Sequence, residues 1–154
     1  MKNVTYIATD LGRVGIAEDG IGITDVFFEK DEQPKNLCEC LTPLLKEAAR
    51  QLLEYFAGIR KEFALPLSMQ GTEFQLADWK ALQTIPYGET RSYRQIAEQI
   101  GNPKACRAVG MANHKNLIGI IIPCHRVIGH NRKLVGYGGG LDVKEKLLKL
   151  EGIL

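Results

Sequence analysis

Ser92-Tyr93-Arg94-Gln95-Ile96-Ala97-Glu98-Gln99-Ile100-Gly101-Asn102-Pro103-Lys104-Ala105-Cys106-Arg107-Ala108-Val109-Gly110 carries the fold of the second half of this chain. Ser92 followed three residues later by Gln95 is a capping box, in which each side chain satisfies a backbone N–H of the other. Ile96, Ala97 and Ile100 give the helix its apolar stripe, and Gly101 ends it. Asn102 as N-cap and Pro103 at the first helical position predict a second helix running to about Asn113. Two short helices across a brief turn containing glycine are the pattern of a helix-turn-helix.

The second of these helices is built from small residues, Ala105, Cys106, Ala108 and Gly110, with Arg107 as the long exception. Small side chains let a backbone come close to another surface. That surface is either a neighbouring helix or DNA. A major groove favours long polar readers, so this face suits a minor groove instead. One inserted arginine would fill the gap left by an extruded base.

Upstream, Thr72 with Gln75 is another capping box, leading into Phe74, Leu76, Ala77, Trp79 and Leu82, and Ile85-Pro86-Tyr87-Gly88 is a stop and turn. Downstream, Val143 to Leu150 reads as the last helix. The first part of the chain is different. Val4–Ile7, Gly12–Ile16 and Ile21–Phe28 are short β-rich runs separated by turn residues, the pattern of an antiparallel meander. Leu44, Leu45, Ala48, Ala49, Leu52, Leu53 and Phe56 then recur at helical spacing, with Gly58 as a stop. Phe63 to Leu67, interrupted by Pro66, is an edge strand or linker. The boundary falls near 65–71, giving a sheet-and-helix domain over 1–68 and a mostly helical domain over 69–154.

The length of 154 residues is ample for a core, and 45% hydrophobic with 25% charged residues is ordinary for a globular protein. No apolar run approaches the length of a membrane span. The first ten residues contain no signal-peptide core, and four scattered cysteines are no disulfide framework, so a reducing, cytoplasmic setting is expected. The net charge of +2 conceals an asymmetry: residues 1–65 hold 8 Lys and Arg against 11 Asp and Glu, and residues 66–154 hold 12 against 7. A basic second part is what an anionic partner requires, without being sufficient for one.

The chemistry centres on Ile118-Gly119-Ile120-Ile121-Ile122-Pro123-Cys124-His125-Arg126. The apolar run should be buried and ends at Cys124. A thiol in apolar surroundings has a raised pKa and is inert unless a base or cation stands beside it. His125 is the candidate base, taking the thiol proton directly or through water. A carboxylate behind it would fix the tautomer, and Glu151, closing the last helix, is the choice for that role. Cys38-Glu39-Cys40 lacks a second ligand pair for zinc, so neither metal nor cofactor is expected. Gly136–Gly140 lacks the ending of a phosphate loop and reads as a tight pocket loop. Trp79 reads as a core residue.

With those residues in view, Ile122-Pro123-Cys124-His125-Arg126-Val127-Ile128 resembles the active-site motif of the O-6-alkylguanine–DNA alkyltransferases (methylated-DNA–protein-cysteine methyltransferases). Ile85–Thr90, Ser92-Tyr93, Gly101–Ala105, Arg107–Gly110 and Leu147-Leu148 with Glu151-Gly152 follow the same family in the same order, so the likeness covers about 72–152. The resemblance implies a ribonuclease H-like N-terminal domain and a DNA-binding C-terminal domain. It implies single-turnover DNA repair: an alkyl group moves from guanine O6 (and thymine O4) of double-stranded DNA to Cys124 and stays there. It further implies His125 as base, Glu151 as its partner, Arg107 as the finger replacing the flipped base, and Tyr93 as a proton donor towards guanine N3. Asn116 would brace the active-site loop, and Pro123, Val127, Tyr137 and Gly138 would line the base pocket. Ala105, Cys106, Ala108 and Gly110 would lie against DNA. A monomer is implied, cytoplasmic at the nucleoid of a prokaryote or nuclear in a eukaryote. Leu117, Gly138 and Lys146 depart from the common pattern, the first predicting a looser brace. Two competing readings are a helix-turn-helix binding module without chemistry and a Cys124–His125 hydrolase that turns over repeatedly.

Overall fold

The structure is a computed structural model and describes residues 1–129 and 140–154. The predicted pocket residues Tyr137 and Gly138, with the rest of residues 136–139 of the Gly136–Gly140 loop, lie outside the described residues. The chain divides into two compact units, Met1–Met69 with Leu117–Gly119, and Gln70–Asn116 with Ile120–Leu154.

In the first unit, β1 (Lys2–Thr9), β2 (Gly12–Glu18) and β3 (Ile23–Phe28) form the expected antiparallel meander, with Tyr6 opposite Gly15 and Ile16 opposite Val26. The sheet is nevertheless mixed rather than antiparallel. A short fourth strand, β4 (Leu37–Glu39), pairs parallel to β1, giving the order β3-β2-β1-β4. Three residues are too few to show a period in sequence. A Cβ on Gly15 would fall 2.3 Å from the Phe27 ring, so any side chain there would displace that ring. Helix α1 (Pro43–Phe56) starts at Thr42, whose side chain accepts from the Leu45 N–H, and has Pro43 at its first position. It buries Leu45, Ala48, Leu52 and Tyr55 while packing on β1 and β2, each large apolar side chain contributing about 1.5–3 kcal/mol. The segment from Phe63 to Leu67 is extended: Gln51 exchanges hydrogen bonds with Ala64, and Ile23 N–H donates to the Pro66 carbonyl at 2.8 Å. Leu117, predicted to loosen its loop, has its carbonyl held by the Val26 N–H at 2.9 Å.

In the second unit, α2 (Glu73–Leu82) and α3 (Tyr93–Ile100) both begin with the predicted capping boxes, Thr72 with Gln75 and Ser92 with Gln95. Gly101 ends α3 in the left-handed region at φ 92°. The next helix, α4 (Cys106–His114), begins later than expected, with Ala105 at its N-cap and no side-chain cap. The reason is local. The Asn102 N–H closes α3 by donating to the Ala97 carbonyl at 2.9 Å, and the Asn102 carbonyl closes a turn onto the Ala105 N–H at 3.0 Å. Asn102 therefore ends one helix rather than starting the next. Trp79 is buried as expected, and its indole N–H donates to the Ala112 carbonyl at 2.9 Å, tying α2 to α4. Two two-residue strands, β5 (Arg91–Ser92) and β6 (Val127–Ile128), pair in parallel, and α5 (Leu141–Leu150) ends at Glu151. Among the described residues no helix is long and apolar enough to cross a membrane.

Candidate active site

The apolar run before Cys124 is buried, with Ile118, Ile120, Ile121 and Ile122 all below a tenth exposed. Ile120 takes φ 69°. A β-branched residue in that region is strained by about 1–3 kcal/mol and persists only where its surroundings enforce it. The loop is thereby turned so that Pro123 precedes a single 3-10 turn, Cys124–Arg126, which places three functional side chains in succession.

Cys124 is partly accessible, and its sulfur accepts from the Asn116 side-chain N–H at 3.4 Å. The same nitrogen donates to the Ile122 carbonyl at 3.0 Å. Asn116 thus ties the loop and touches the thiol at once. Burial pushes the Cys124 thiol above its ordinary value, while the Asn116 hydrogen bond and the positive charge of Lys144 pull it back.

His125 is fully buried, and its Nε2 lies 2.6 Å from Glu151 Oε2. Burial lowers the His125 pKa against the opposing pull of Glu151, so the ring is neutral near pH 7. A carboxylate only accepts hydrogen bonds, so Nε2 carries the proton. Nδ1 is buried, has no hydrogen-bond partner among the described residues and keeps its lone pair. It is the nitrogen able to take a proton from a thiol.

Glu151 is held from three sides. Besides His125, it accepts from Arg126 Nε at 2.8 Å, from Arg126 Nη2 at 3.1 Å and from the Gly88 N–H at 3.1 Å. Arg126 also donates to the Ile85 carbonyl at 2.7 Å and stacks over the Tyr87 ring at 5.7 Å. The Ile85–Gly88 turn, visible in sequence as a stop, therefore holds both Arg126 and Glu151. A bidentate guanidinium fixes the carboxylate's plane and balances its charge.

The structure brings Cys124, His125, Glu151 and Asn116 together. Tyr93 stands at the first position of α3, half-buried, with its hydroxyl pKa raised by burial and then by Cys124 and Asp78. Pro123 and Val127 are buried on either side of the 3-10 turn. On α4, Arg107 and Ala108 are exposed, Cys106 and Gly110 are partly accessible, and Ala105 is buried at the entrance. Val109 and Ala112 face inward. A Cβ on Gly110 would rest 3.8 Å from the Tyr93 ring, an ordinary contact, so helix packing alone does not demand glycine there.

Two further charged side chains stand at the site. Arg126 clamps Glu151. Lys144 is not among the residues the sequence singles out. It is fully buried, donates to the Val127 carbonyl at 2.6 Å, has its pKa lowered to about 8 by burial and acts electrostatically on Cys124. The signal available was its place in the apolar spacing of α5, between Val143 and Leu147.

Residues 3–69 match the family model described as 6-O-methylguanine DNA methyltransferase, ribonuclease-like domain, and residues 73–153 match 6-O-methylguanine DNA methyltransferase, DNA binding domain. The methylated-DNA–protein-cysteine methyltransferase of Methanosarcina acetivorans is 54% identical over 146 residues, covering 92% of this chain and 93% of the relative. The constitutive methylated-DNA–protein-cysteine methyltransferase of Bacillus subtilis is 49% identical over 160 residues, covering 99% and 97%. The crystal structure of Mycobacterium tuberculosis OGT in complex with DNA is similar with a TM-score of 0.90 at 47% identity, covering 97% of this chain and 92% of that one.

Proposed function

Because the chain belongs to the methylated-DNA–protein-cysteine methyltransferase family, we propose that Cys124 is the sulfur that takes an alkyl group from O6 of guanine, and from O4 of thymine, in double-stranded DNA. The family activity is DNA repair by transfer of an alkyl group onto a cysteine of the protein itself. Residues 69–154 bind DNA and accept the group, and residues 1–68 support them. The protein acts as a monomer in the cytoplasm.

The observation that carries this reading is the 2.6 Å bond from His125 to Glu151, which leaves Nδ1 as an unprotonated base one residue from the thiol. In the reaction, the Cys124 proton passes to His125 Nδ1. Glu151 stabilises the resulting imidazolium, and Arg126 keeps Glu151 in place. The thiolate attacks the alkyl carbon, so a sulfur–carbon bond forms as the carbon–O6 bond breaks. The departing guanine takes a proton on N3 from the Tyr93 hydroxyl, and Tyr93 is reprotonated from the imidazolium side through solvent. The thioether has no easy leaving path, so each molecule acts once. Arg107, exposed on α4, fills the stack left by the flipped base, while Ala105, Cys106, Ala108 and Gly110 let the helix approach the groove. Pro123, Val127, Tyr137 and Gly138 form the base pocket.

The test is intact mass after mixing with excess duplex containing O6-methylguanine. One methyl group per molecule, absent in Cys124→Ser, is the expected result. Tight duplex binding without mass gain would leave a binding module, and multiple turnovers on an ester would leave a hydrolase.

A further inference from the structure

Among the described residues, α4 presents one large apolar side chain that the chemistry above leaves unused. Met111 is 69% exposed. Successive residues of an α-helix are turned by about 100°. The exposed His114, Arg107, Met111 and Ala108, with Lys115 at the C-cap, therefore follow one another around a face of about 120°, and Met111 stands at its centre. Val109 and Ala112 fill the opposite, buried face. One exposed apolar residue is common on any surface, but this one is centred on a face otherwise made of a small residue, two cations and an imidazole.

The charge around Met111 selects the partner. Arg107 and Lys115 flank it, Lys104 is exposed just before the helix, and the sequence holds no Asp or Glu between Glu98 and Asp142. Such a face fits a polyanion. Phosphates alone would reward further cations and nothing apolar, so the apolar centre points past the phosphates to the sugar and base edges of a groove. Proteins that enter the minor groove use apolar wedges, methionine among them, and an unbranched thioether chain adapts to an irregular gap. Met111 follows Arg107 by four residues, about 6 Å along the helix axis. Helix geometry tilts its Cα–Cβ bond back towards the arginine's turn. The two side chains thus reach the same stretch of groove, about two base steps long.

We propose that Met111 is a second groove-entering side chain beside Arg107: it packs into the minor groove of duplex DNA next to the extruded base and supplies a part of the grip that salt does not screen. The proposal rests on the reading of α4 as the helix that meets DNA, and deepens it. Arg107 replaces the base, and Met111 excludes water from the groove beside it. An apolar contact releases no counterions and leaves the salt dependence of binding alone, whereas each cation on a phosphate adds about one to its slope.

The experiment compares the full chain with Met111→Ala, Met111→Leu and Lys115→Ala. Binding to an unmodified duplex is read by fluorescence anisotropy from about 50 to 200 mM salt. Transfer from duplex O6-methylguanine and from free benzylguanine base is timed by intact mass. Met111 buries little in the free protein, so its variants should match the parent by circular dichroism. Met111→Ala should bind about tenfold more weakly at every salt concentration with the parent's slope, the worth of one apolar side chain. Its rate on subsaturating duplex should fall by a similar factor relative to its rate on free base. Met111→Leu, which keeps the apolar bulk, should bind within about threefold of the parent. Lys115→Ala should lower the slope by about one. Binding of Met111→Ala within twofold of the parent would overturn the proposal, and so would a loss that fades as salt rises. If Lys115→Ala alone had an effect, the helix would meet phosphates with Met111 outside the groove. The expected binding pattern with no alkyl transfer by any of the proteins would uphold the proposal and defeat the reading of Cys124 as acceptor. One methyl per molecule with Met111 silent would do the reverse.

Discussion

Replacing Glu151 with glutamine separates the structural from the chemical work of the buried carboxylate. Four donors are among the groups that meet it: His125 Nε2, Arg126 Nε, Arg126 Nη2 and the Gly88 N–H. A glutamine accepts through one oxygen only. With its NH2 in place of Oε1, it confronts Gly88 and Arg126 Nε. With its NH2 in place of Oε2, it confronts Arg126 Nη2 and forces His125 to accept at Nε2, moving the ring proton to Nδ1, where the base is needed. The first placement keeps the tautomer but deprives the imidazolium of a charged partner, a loss of about 1.5–3 kcal/mol, or roughly ten- to a hundredfold in rate. The second removes the base, a loss of about 10²–10⁴-fold. Either leaves a buried guanidinium without its counter-charge, costing about 3–5 kcal/mol of stability. The expected outcome for Glu151→Gln is alkylation about a hundredfold slower at pH 7.5, followed by quenched intact mass, together with a lower thermal midpoint. A rate within threefold of the parent in folded protein would refute the reasoning, because it would mean that Glu151 neither sets the His125 tautomer nor supports its charge.

Arg107→Ala should slow repair of duplex DNA at least about tenfold while leaving reaction with free benzylguanine base near the parent rate, because the exposed side chain serves base extrusion and not proton transfer; equal losses on both substrates would remove it from that role. Lys144→Met should displace the pH dependence of Cys124 alkylation upward by about one unit, since the cation that favours the thiolate is gone; peptide-resolved labelling across pH reads the shift.

Capping boxes, glycine stops and helical spacing lie within a few residues of one another, which is why α1, α2 and α3 could be read from the chain. The acceptor motif was equally local: Cys124 and His125 are adjacent, and each residue type announces its chemistry. Where two signals competed for one residue, reading failed. Asn102-Pro103 carries a helix-start pattern, yet its backbone is spent closing α3. A three-residue edge strand such as β4 has no period to detect, so its parallel pairing was invisible.

Local pattern by itself determined the capped helices, the meander and the adjacency of Cys124 and His125. Only the tertiary structure decided what surrounds those two side chains, because the remaining groups come from distant turns of chain. Glu151 reaches His125 across 26 positions and Arg126 across 25, and Gly88 reaches Glu151 across 63. The charge of Lys144 bears on the sulfur because burial removes the water that would otherwise screen it. A lysine or aspartate on an amphipathic helix has the same letter whether it faces solvent or core. Its energetic meaning appears only when the dielectric around it is known.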